Sequence, residues 1–384
     1  MASVSGGEVD RRYRAIRGAL EREGVDAVIV SGSEYTGFDG AVLYASGFQI
    51  VHRYAYVLIP LEGEPSIVFP SEARYVGEHG ATWIDERLFV DTPGEWLRER
   101  VQARRWTRIG VYGLEYVMNV RDYNALSSGG FELVPFDVPF DLARAVKSGA
   151  ELESVRESVR INEEGFWTVL AAYEPGKTEA EIMAPAAARF VELGTGRHAM
   201  NMVLAHGPPG GARPEFVIAS ETRAVEPDDL LLYSLEIAGP GGHWAEVSRP
   251  IMRGAPSWET AAMLEAYVEY GQTARRAMRA GATAHDVHVA CSSPFRERGF
   301  RLGHVTGHSI GMTMIEHPRI GEGSDVELRE DMTLSMHPHV IAEDGSCLYF
   351  QETWRVGAHE GEQLSGLAYA IFDGSEERRP RAFG

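Results

Sequence analysis

The sequence predicts two domains: an α/β domain over residues 1–140, then an α+β domain over residues 141–384. Three observations carry this reading. A chain of 384 residues is long for one hydrophobic core and favours about two domains. In its first part, short apolar runs between Gly and Pro punctuation alternate with helical stretches. In its second part, long helices with capping signals alternate with polar–apolar strands joined by a glycine-rich turn.

In chain order, residues 13–23 spell a helix that Gly24 stops, and the runs 27–30, 54–59 and 66–69 read as strands. A further strand at 110–112 precedes a helix near 120–127. The boundary falls around 140–150, where Ser148 and Glu151 form an S-x-x-E capping box that satisfies two orphan helix donors. The helix that follows puts Leu152, Val155, Val159, Phe166, Val169 and Tyr173 on one stripe, and Pro175-Gly176 ends it. Thr178 with Glu181 opens another helix, and a third runs over 258–280 with Gly281 past its end. The strands 230–238 and 243–252 flank Gly239-Pro240-Gly241-Gly242 and form a hairpin. Strands at 300–306, 333–341 and 348–356 complete a largely antiparallel sheet.

Composition narrows the function. Apolar residues make up 44% and charged residues 24%, the balance of a globular protein. Lys and Arg number 37 against 56 Asp and Glu, a net charge of −19. That surface repels phosphate backbones, so nucleic acid is not expected as a partner. The basic stretch 98–108 reads as a solvated helix face. Cys291 and Cys347 lack paired metal spacing and read as reduced thiols of a cytoplasmic protein. The N-terminal MASVSGGEVDRRYRAIR has no apolar core of a signal peptide. No run reaches the roughly 18 apolar residues of a membrane span.

Four segments carry residues suited to chemistry. Glu236 and Glu246 lie almost symmetrically about the turn, so they stand opposite each other, about 5 Å apart if they share a face. Buried together, they need a cation or a shared proton; otherwise one of them points to solvent. Ser234 shares the face of Glu236. The segment HVTGHSIG carries His304 and His308, with His317 beyond, and imidazole is a ligand or proton shuttle near neutral pH. Its Gly307-to-Gly311 stretch also matches G-x-S-x-G with Ser309 as nucleophile, but MTMIEHPRIG after it offers no helix. In TLSMHPHVIA, Thr333, Ser335, His337 and His339 alternate with Leu334, Met336 and Val340. In LYFQETWRV, Tyr349, Gln351, Thr353 and Arg355 face one way, and Leu348, Phe350, Glu352 and Trp354 the other.

Taken in this order, the segments resemble the creatinase, prolidase and methionine-aminopeptidase (M24) superfamily. The join RAVKSGAELESVRES resembles the opening of its catalytic domain. YSLEIAGPGGHWAEVSRP resembles the strand pair that supplies two acidic metal ligands, and HVTGHSIG the histidine-ligand segment. LSMHP resembles the strand bearing a glutamate ligand, and YFQETWRV the final ligand strand. The resemblance implies a pita-bread catalytic domain over 141–384 behind a smaller creatinase-like N-terminal α/β domain over 1–140. It also implies a homodimer in which one subunit's N-terminal domain helps close its partner's pocket. SGFQIVHRYAYV, with His52, Arg53 and Tyr56, resembles the part that does so, and Arg53 is then a candidate grip for a substrate carboxylate.

The departures from the family pattern shape the expected chemistry. The family holds two metals with Asp, Asp, His, Glu and Glu. Here the first Asp falls on Ser234 or Glu236, the second becomes Glu246, and the histidine stays as His308. The first Glu is replaced by His337, and the last falls on Gln351 with Glu352 beside it. Ile315 stands where a later family histidine does, with His317 two residues on. In HGPPGGARPEF, which His206 opens, Glu215 sits near the position of a substrate-binding histidine. The resemblance therefore makes Glu236, Glu246, His308, His337 and Gln351 catalytic candidates. Arg53, His206, Glu215, His304, His317 and Glu352 are substrate-binding candidates.

Two glutamates with neutral His337 and Gln351 are too few negative charges for two divalent ions. Two chemistries remain. One is a single Fe, Mn or Zn ion on Glu246, His308 and His337, a two-histidine, one-carboxylate set. The other is metal-free His/Glu acid–base catalysis, as in the creatinase branch. The expected function is that of a divergent non-peptidase member, a small-molecule hydrolase of a C–N bond in an amide, amidine or cyclic amino-acid derivative. Alternatives are a lyase or isomerase similar to the dimethylsulfoniopropionate lyase branch, whose hairpin acids Ser234 interrupts, an Xaa-Pro peptidase-like metallopeptidase, and a non-catalytic binding module.

Overall fold

A computed structural model describes residues 4–195, 199–207, 217–256, 258–343 and 345–375, with 199–207 and 258–259 as backbone alone. The chain divides into two compact units. One comprises Met1–Ala145 with Met312–His317, and the other Val146–Gly311 with Pro318–Gly384.

The first unit is built on a six-stranded sheet in the order Glu86–Val90, Ser66–Pro70, Tyr54–Pro60, Ala27–Ser33, Arg108–Tyr112, Glu132–Pro135. The central strand pairs antiparallel with Tyr54–Pro60 and parallel with Arg108–Tyr112. Every residue of Ala27–Ser33 is buried, because both sheet faces are covered. Val28 and Val30 pack with Ile16 and Leu20 on one face, and Ala27 and Ile29 with Leu97 and Val101 on the other. The first helix, Gly6–Glu23, starts earlier than its apolar stripe, because the Ser5 hydroxyl accepts from Glu8 N–H. Gly24, at φ 61°, closes it. The basic stretch 98–108 is not one helix face. Its helix, Pro93–Arg104, ends at Arg105, and Arg108 opens a strand. Arg100 and Arg108 pair with Glu86 and Glu132 at 2.6 and 3.2 Å.

The segment Met312–His317 is tied into this unit by the fully buried Arg144. Its guanidinium meets Asp141 at 2.8 Å and Glu316 at 3.1 Å, and donates to the hydroxyls of Thr313 and Tyr112 at 2.8 and 3.1 Å.

In the second unit the helices Gly149–Ala172, Glu179–Glu192 and Ala284–Arg296 each begin at a reciprocal capping box, on Ser148/Glu151, Thr178/Glu181 and Thr283/Asp286. The stripe Leu152, Val155, Val159, Phe166, Val169 and Tyr173 is buried as its spacing requires. The helix Trp258–Ala277 stops slightly before its expected end. The strands form three sheets. In one, Leu230–Ala238 lies between Ala199–Gly207 and Ile251–Met252 and also pairs with Trp244–Glu246. The expected long strand at 333–341 is two pieces, Thr333–Met336 and His339–Ile341, which belong to different sheets. Pro338 stands at the break and supplies no ladder donor.

The hairpin bearing the two acids is pinned by the first long helix. Asn162 donates from Nδ2 to the carbonyls of Leu235 at 2.8 Å and Ala245 at 3.0 Å, one on each strand. Ser158 donates to His243 O at 2.7 Å beside the turn. A Cβ on Gly239 would stand 2.4 Å from the Ser158 hydroxyl, so the turn lies flat on the helix only because that residue is glycine. Leu235 O also accepts from Val247 N–H at 3.3 Å, and Ala245 is paired with Ile237 across the hairpin. Replacing Asn162 with Ala therefore removes a second donor from each carbonyl, at roughly 0.5–1.5 kcal/mol each. Urea unfolding of Asn162→Ala should show a loss of about 2 kcal/mol; a loss below about 0.5 kcal/mol would mean that this anchor does not hold the hairpin.

Candidate active site

Strand register assembles the site. Glu236 and Glu246 are direct partners across the hairpin, and both are buried. On the neighbouring sheet His308 lies opposite Ser335, and Ser335 opposite Thr353. Directly opposed residues share a face, so His308, Ser335 and Thr353 line one surface. His337 and Gln351 lie one residue beyond the strands Thr333–Met336 and Glu352–Arg355 and both reach Glu246, His337 as a neighbouring donor and Gln351 by a hydrogen bond. The close approach of the His308 strand to its neighbour needs Gly307, where a Cβ would fall 2.2 Å from the Ser335 carbonyl. Gly307 thus serves strand packing and no nucleophile elbow. Ser309 is buried in a strand and donates to Thr333 O.

Gln351 ties the two acids together. Its Nε2 donates to Glu236 Oε1 at 2.9 Å and to Glu246 Oε2 at 3.0 Å. Its Oε1 accepts from Leu235 N–H at 2.9 Å, which sets which end of the amide faces the carboxylates. Ser335 adds a hydrogen bond to Glu246 Oε2 at 2.7 Å. The other oxygen, Oε1, faces His308 Nε2 at 3.5 Å. His308 Nδ1 lies 2.9 Å from Ser309 O, so Nδ1 carries a proton and Nε2 points at the acid.

Glu246, His308 and His337 each offer a ligand atom, all within 4.8 Å of one another. His337 Nδ1 is buried with no hydrogen-bond partner among the described residues. Burial and the neighbouring imidazoles hold His337 well below the usual histidine range, so it is neutral and able to ligate. Its ring also contacts His304, at 5.3 Å between centroids, and His304 contacts His339 at 5.5 Å. Burial pushes His304 down and His339 down to about 4. Burial pushes both glutamates up toward neutrality, and Glu236 is pushed further by the charge of Glu246.

The family's two-ion arrangement does not fit these residues. Where a second cation would draw Glu236 and Glu246 together there is an amide NH2, which has no lone pair to coordinate with. A single ion on Glu246 Oε1 and the two imidazoles does fit the donor chemistry.

The structure thus brings together Glu236, Glu246, His308, His337 and Gln351, with His304 beside His337. Glu352 is not with them. Its neighbour Gln351 faces the acids, so Glu352 turns the other way, into a fully buried ion pair with Arg249 and a hydrogen bond from the Ser365 hydroxyl. No carboxylate surface there is left for a substrate. His317 belongs to the first unit, where Asp141 Oδ2 holds its Nδ1 at 3.1 Å and its backbone N–H at 3.0 Å. Arg53, also in the first unit, donates to the Tyr35 hydroxyl at 2.8 Å from a backbone at φ 72°. Glu215 lies outside the described residues, as does the side chain of His206. Sequence reasoning missed Ser335, though its alternation with His337 was a usable signal. It also missed Arg249, whose Nη1 donates to Gln351 O at 2.7 Å; nothing local marks that contact.

A two-domain plan with a buried His/Glu site at the junction of antiparallel sheets defines a hydrolase of the pita-bread class. The chain belongs to metallopeptidase family M24, whose model matches residues 153–363, and the creatinase/prolidase N-terminal domain matches residues 12–146. It is 24% identical over 377 residues to the probable dipeptidase PepE of Mycobacterium tuberculosis, covering 95% of this chain and 92% of that protein. It is 26% identical over 207 residues to the Xaa-Pro dipeptidase of Pyrococcus furiosus, covering 53% of this chain and 58% of that one. Among solved structures, PepE of Mycobacterium ulcerans superposes with a TM-score of 0.81 at 20% identity, covering 97% and 99% of the two chains. The X-Pro aminopeptidase of Thermotoga maritima gives 0.78 at 21%, covering 94% and 99%. Among the described residues no helix is long and apolar enough to cross a membrane.

The raised carboxyls predict a pH dependence of stability. Between the unfolded value near 4.5 and the folded value of about 8, the native state keeps a proton that the unfolded chain has lost. Stability of chelated protein therefore falls as pH rises through that window. Thermal unfolding across the window should show a falling Tm that Glu236→Gln flattens. An unchanged slope in that variant would place the proton elsewhere.

Proposed function

We propose that this M24 hydrolase cleaves a C–N bond in a small amide, amidine or cyclic amino-acid derivative, with one divalent ion held by Glu246, His308 and His337. The observation that carries this reading is the convergence of those three donors beside a pair of acids already bridged by Gln351. An ion held there supplies Lewis acidity toward the scissile carbonyl. The protein's own groups do the rest. Ser309 O orients His308 so that Nε2 faces the site, and Ser335 and Gln351 occupy Glu246 Oε2, leaving Oε1 for the ion. Glu236, buried and protonated near neutral pH, supplies the proton that a departing nitrogen needs. The dipeptidase and Xaa-Pro dipeptidase names of the relatives bring small peptides in as the second substrate class. The raised acids favour one rival mechanism, metal-free proton transfer by Glu236 and His308.

Turnover on a panel of amides, amidines, cyclic derivatives and Xaa-Pro dipeptides, before and after EDTA, tests the reading. Chelation should abolish turnover and one Mn, Fe or Zn ion per chain should restore it, with His308→Ala losing at least about a hundredfold. Full turnover by metal-free protein would replace the ion with the acid–base route.

The proposal extends to Arg53, in a homodimer, as the grip on a substrate carboxylate. Its positive φ as a non-glycine residue is strain of the kind kept at functional sites. Arg53→Ala should raise KM by about tenfold or more with kcat little changed; an unaltered KM removes Arg53 from substrate binding.

A further inference from the structure

We infer that the side-chain amide of Gln351 stands in for a second cation and holds this site to one ion. The inference rests on the one-ion reading above and deepens it. Two buried carboxylates that are strand partners need a cation, a shared proton or a hydrogen-bond donor between them. The described residues bring no Lys or Arg to either acid. What lies between them is Gln351 Nε2, at 2.9 Å from Glu236 and 3.0 Å from Glu246. Its two amide hydrogens point one at each acid, as a bridging cation would attract both.

The amide cannot turn away. Leu235 N–H holds its Oε1 at 2.9 Å. The Gln351 backbone is fastened by Arg249 at 2.7 Å and by a reciprocal bridge to Ser248, at 3.1 and 3.2 Å. Arg249 is in turn locked by Glu352 and by the carbonyl of Leu367. Glu236 is thereby tied to an amide and is not a ligand, although it faces a residue that is.

Replacing the NH2 with an oxygen reverses the arrangement. In Gln351→Glu, Leu235 N–H still holds one oxygen, and the other joins Glu236 and Glu246. Three buried carboxylates then converge with no amide donor between them and only the Ser335 hydroxyl on Glu246, which is a site for an additional divalent ion.

The test counts metal in the full-length protein, stripped by chelation and then dialysed against excess Mn(II) or Co(II). Elemental analysis should give Gln351→Glu one more ion per chain than the parent, and the Mn(II) variant should show the exchange-coupled resonance of two neighbouring ions. A folded Gln351→Glu protein with the parent's ion count overturns the inference, as does a parent that itself takes two ions. The increment tests the role of Gln351, whereas the parent's absolute count and activity test the one-ion function, so the two can fail separately. If Gln351→Glu does not fold, Glu236→Gln decides the matter. Its Mn(II) dissociation constant should stay within about threefold of the parent's, because Glu236 is not a ligand; weakening beyond about tenfold shows that it is and ends the proposal.

Discussion

Two glutamates face each other across a hairpin in a water-poor interior, and most of the surrounding structure answers to that placement. Like charges at strand-partner positions are destabilising even on a surface, and burial makes each ionised form costlier still. The molecule relieves the conflict in three ways. An amide donor bridges the pair, a serine hydroxyl satisfies one oxygen of Glu246, and both carboxyls are displaced toward their protonated forms. What remains is a carboxylate oxygen of Glu246 turned toward His308, with the neutral imidazole of His337 close by.

Such a site works only if several strands keep register to within a fraction of an ångström. The polar buttresses serve that end. Asn162 clamps both strands of the hairpin from the helix side. Thr353 Oγ1 meets the backbone of Glu246 from the sheet side, accepting from its N–H at 2.9 Å and lying 3.0 Å from its carbonyl. Arg249, fully enclosed, joins the end of the hairpin strand to the strand of Gln351. A buried guanidinium is tolerable here because it is saturated, by Glu352, four carbonyls from Ser248, Gln351, Leu367 and Ala368, and the ring of Tyr369 at 4.6 Å. The candidate site thus rests on a scaffold whose own buried charges are already paired with one another.

Much of this was legible in the sequence, for identifiable reasons. Capping boxes are local, so Ser148, Thr178 and their glutamate partners marked helix starts that the structure reproduces. Hairpin symmetry is arithmetic, so the opposition of Glu236 and Glu246 followed from the position of the turn. Strand alternation separated Gln351 from Glu352, yet one residue's ambiguity in the family pattern kept both in view until the ion pair with Arg249 showed which one faces away. The break at Pro338 and the distribution of the strands among three sheets depend on tertiary pairing and were not legible. The same is true of Arg144, which draws Met312–His317 and with it His317 into the first unit through contacts far apart in sequence.

Membership of M24 sets the fold and the hydrolytic class, and we propose that Glu246, His337 and Gln351 hold the site to one ion. The most direct measurement of that claim is a crystal structure of Mn(II)-soaked protein with anomalous data at the manganese edge. One anomalous peak per chain, bonded to Glu246, His308 and His337 with Gln351 still bridging the acids, is the predicted result. Two peaks within bridging distance of Glu236 and Glu246, with the amide of Gln351 displaced, would contradict it.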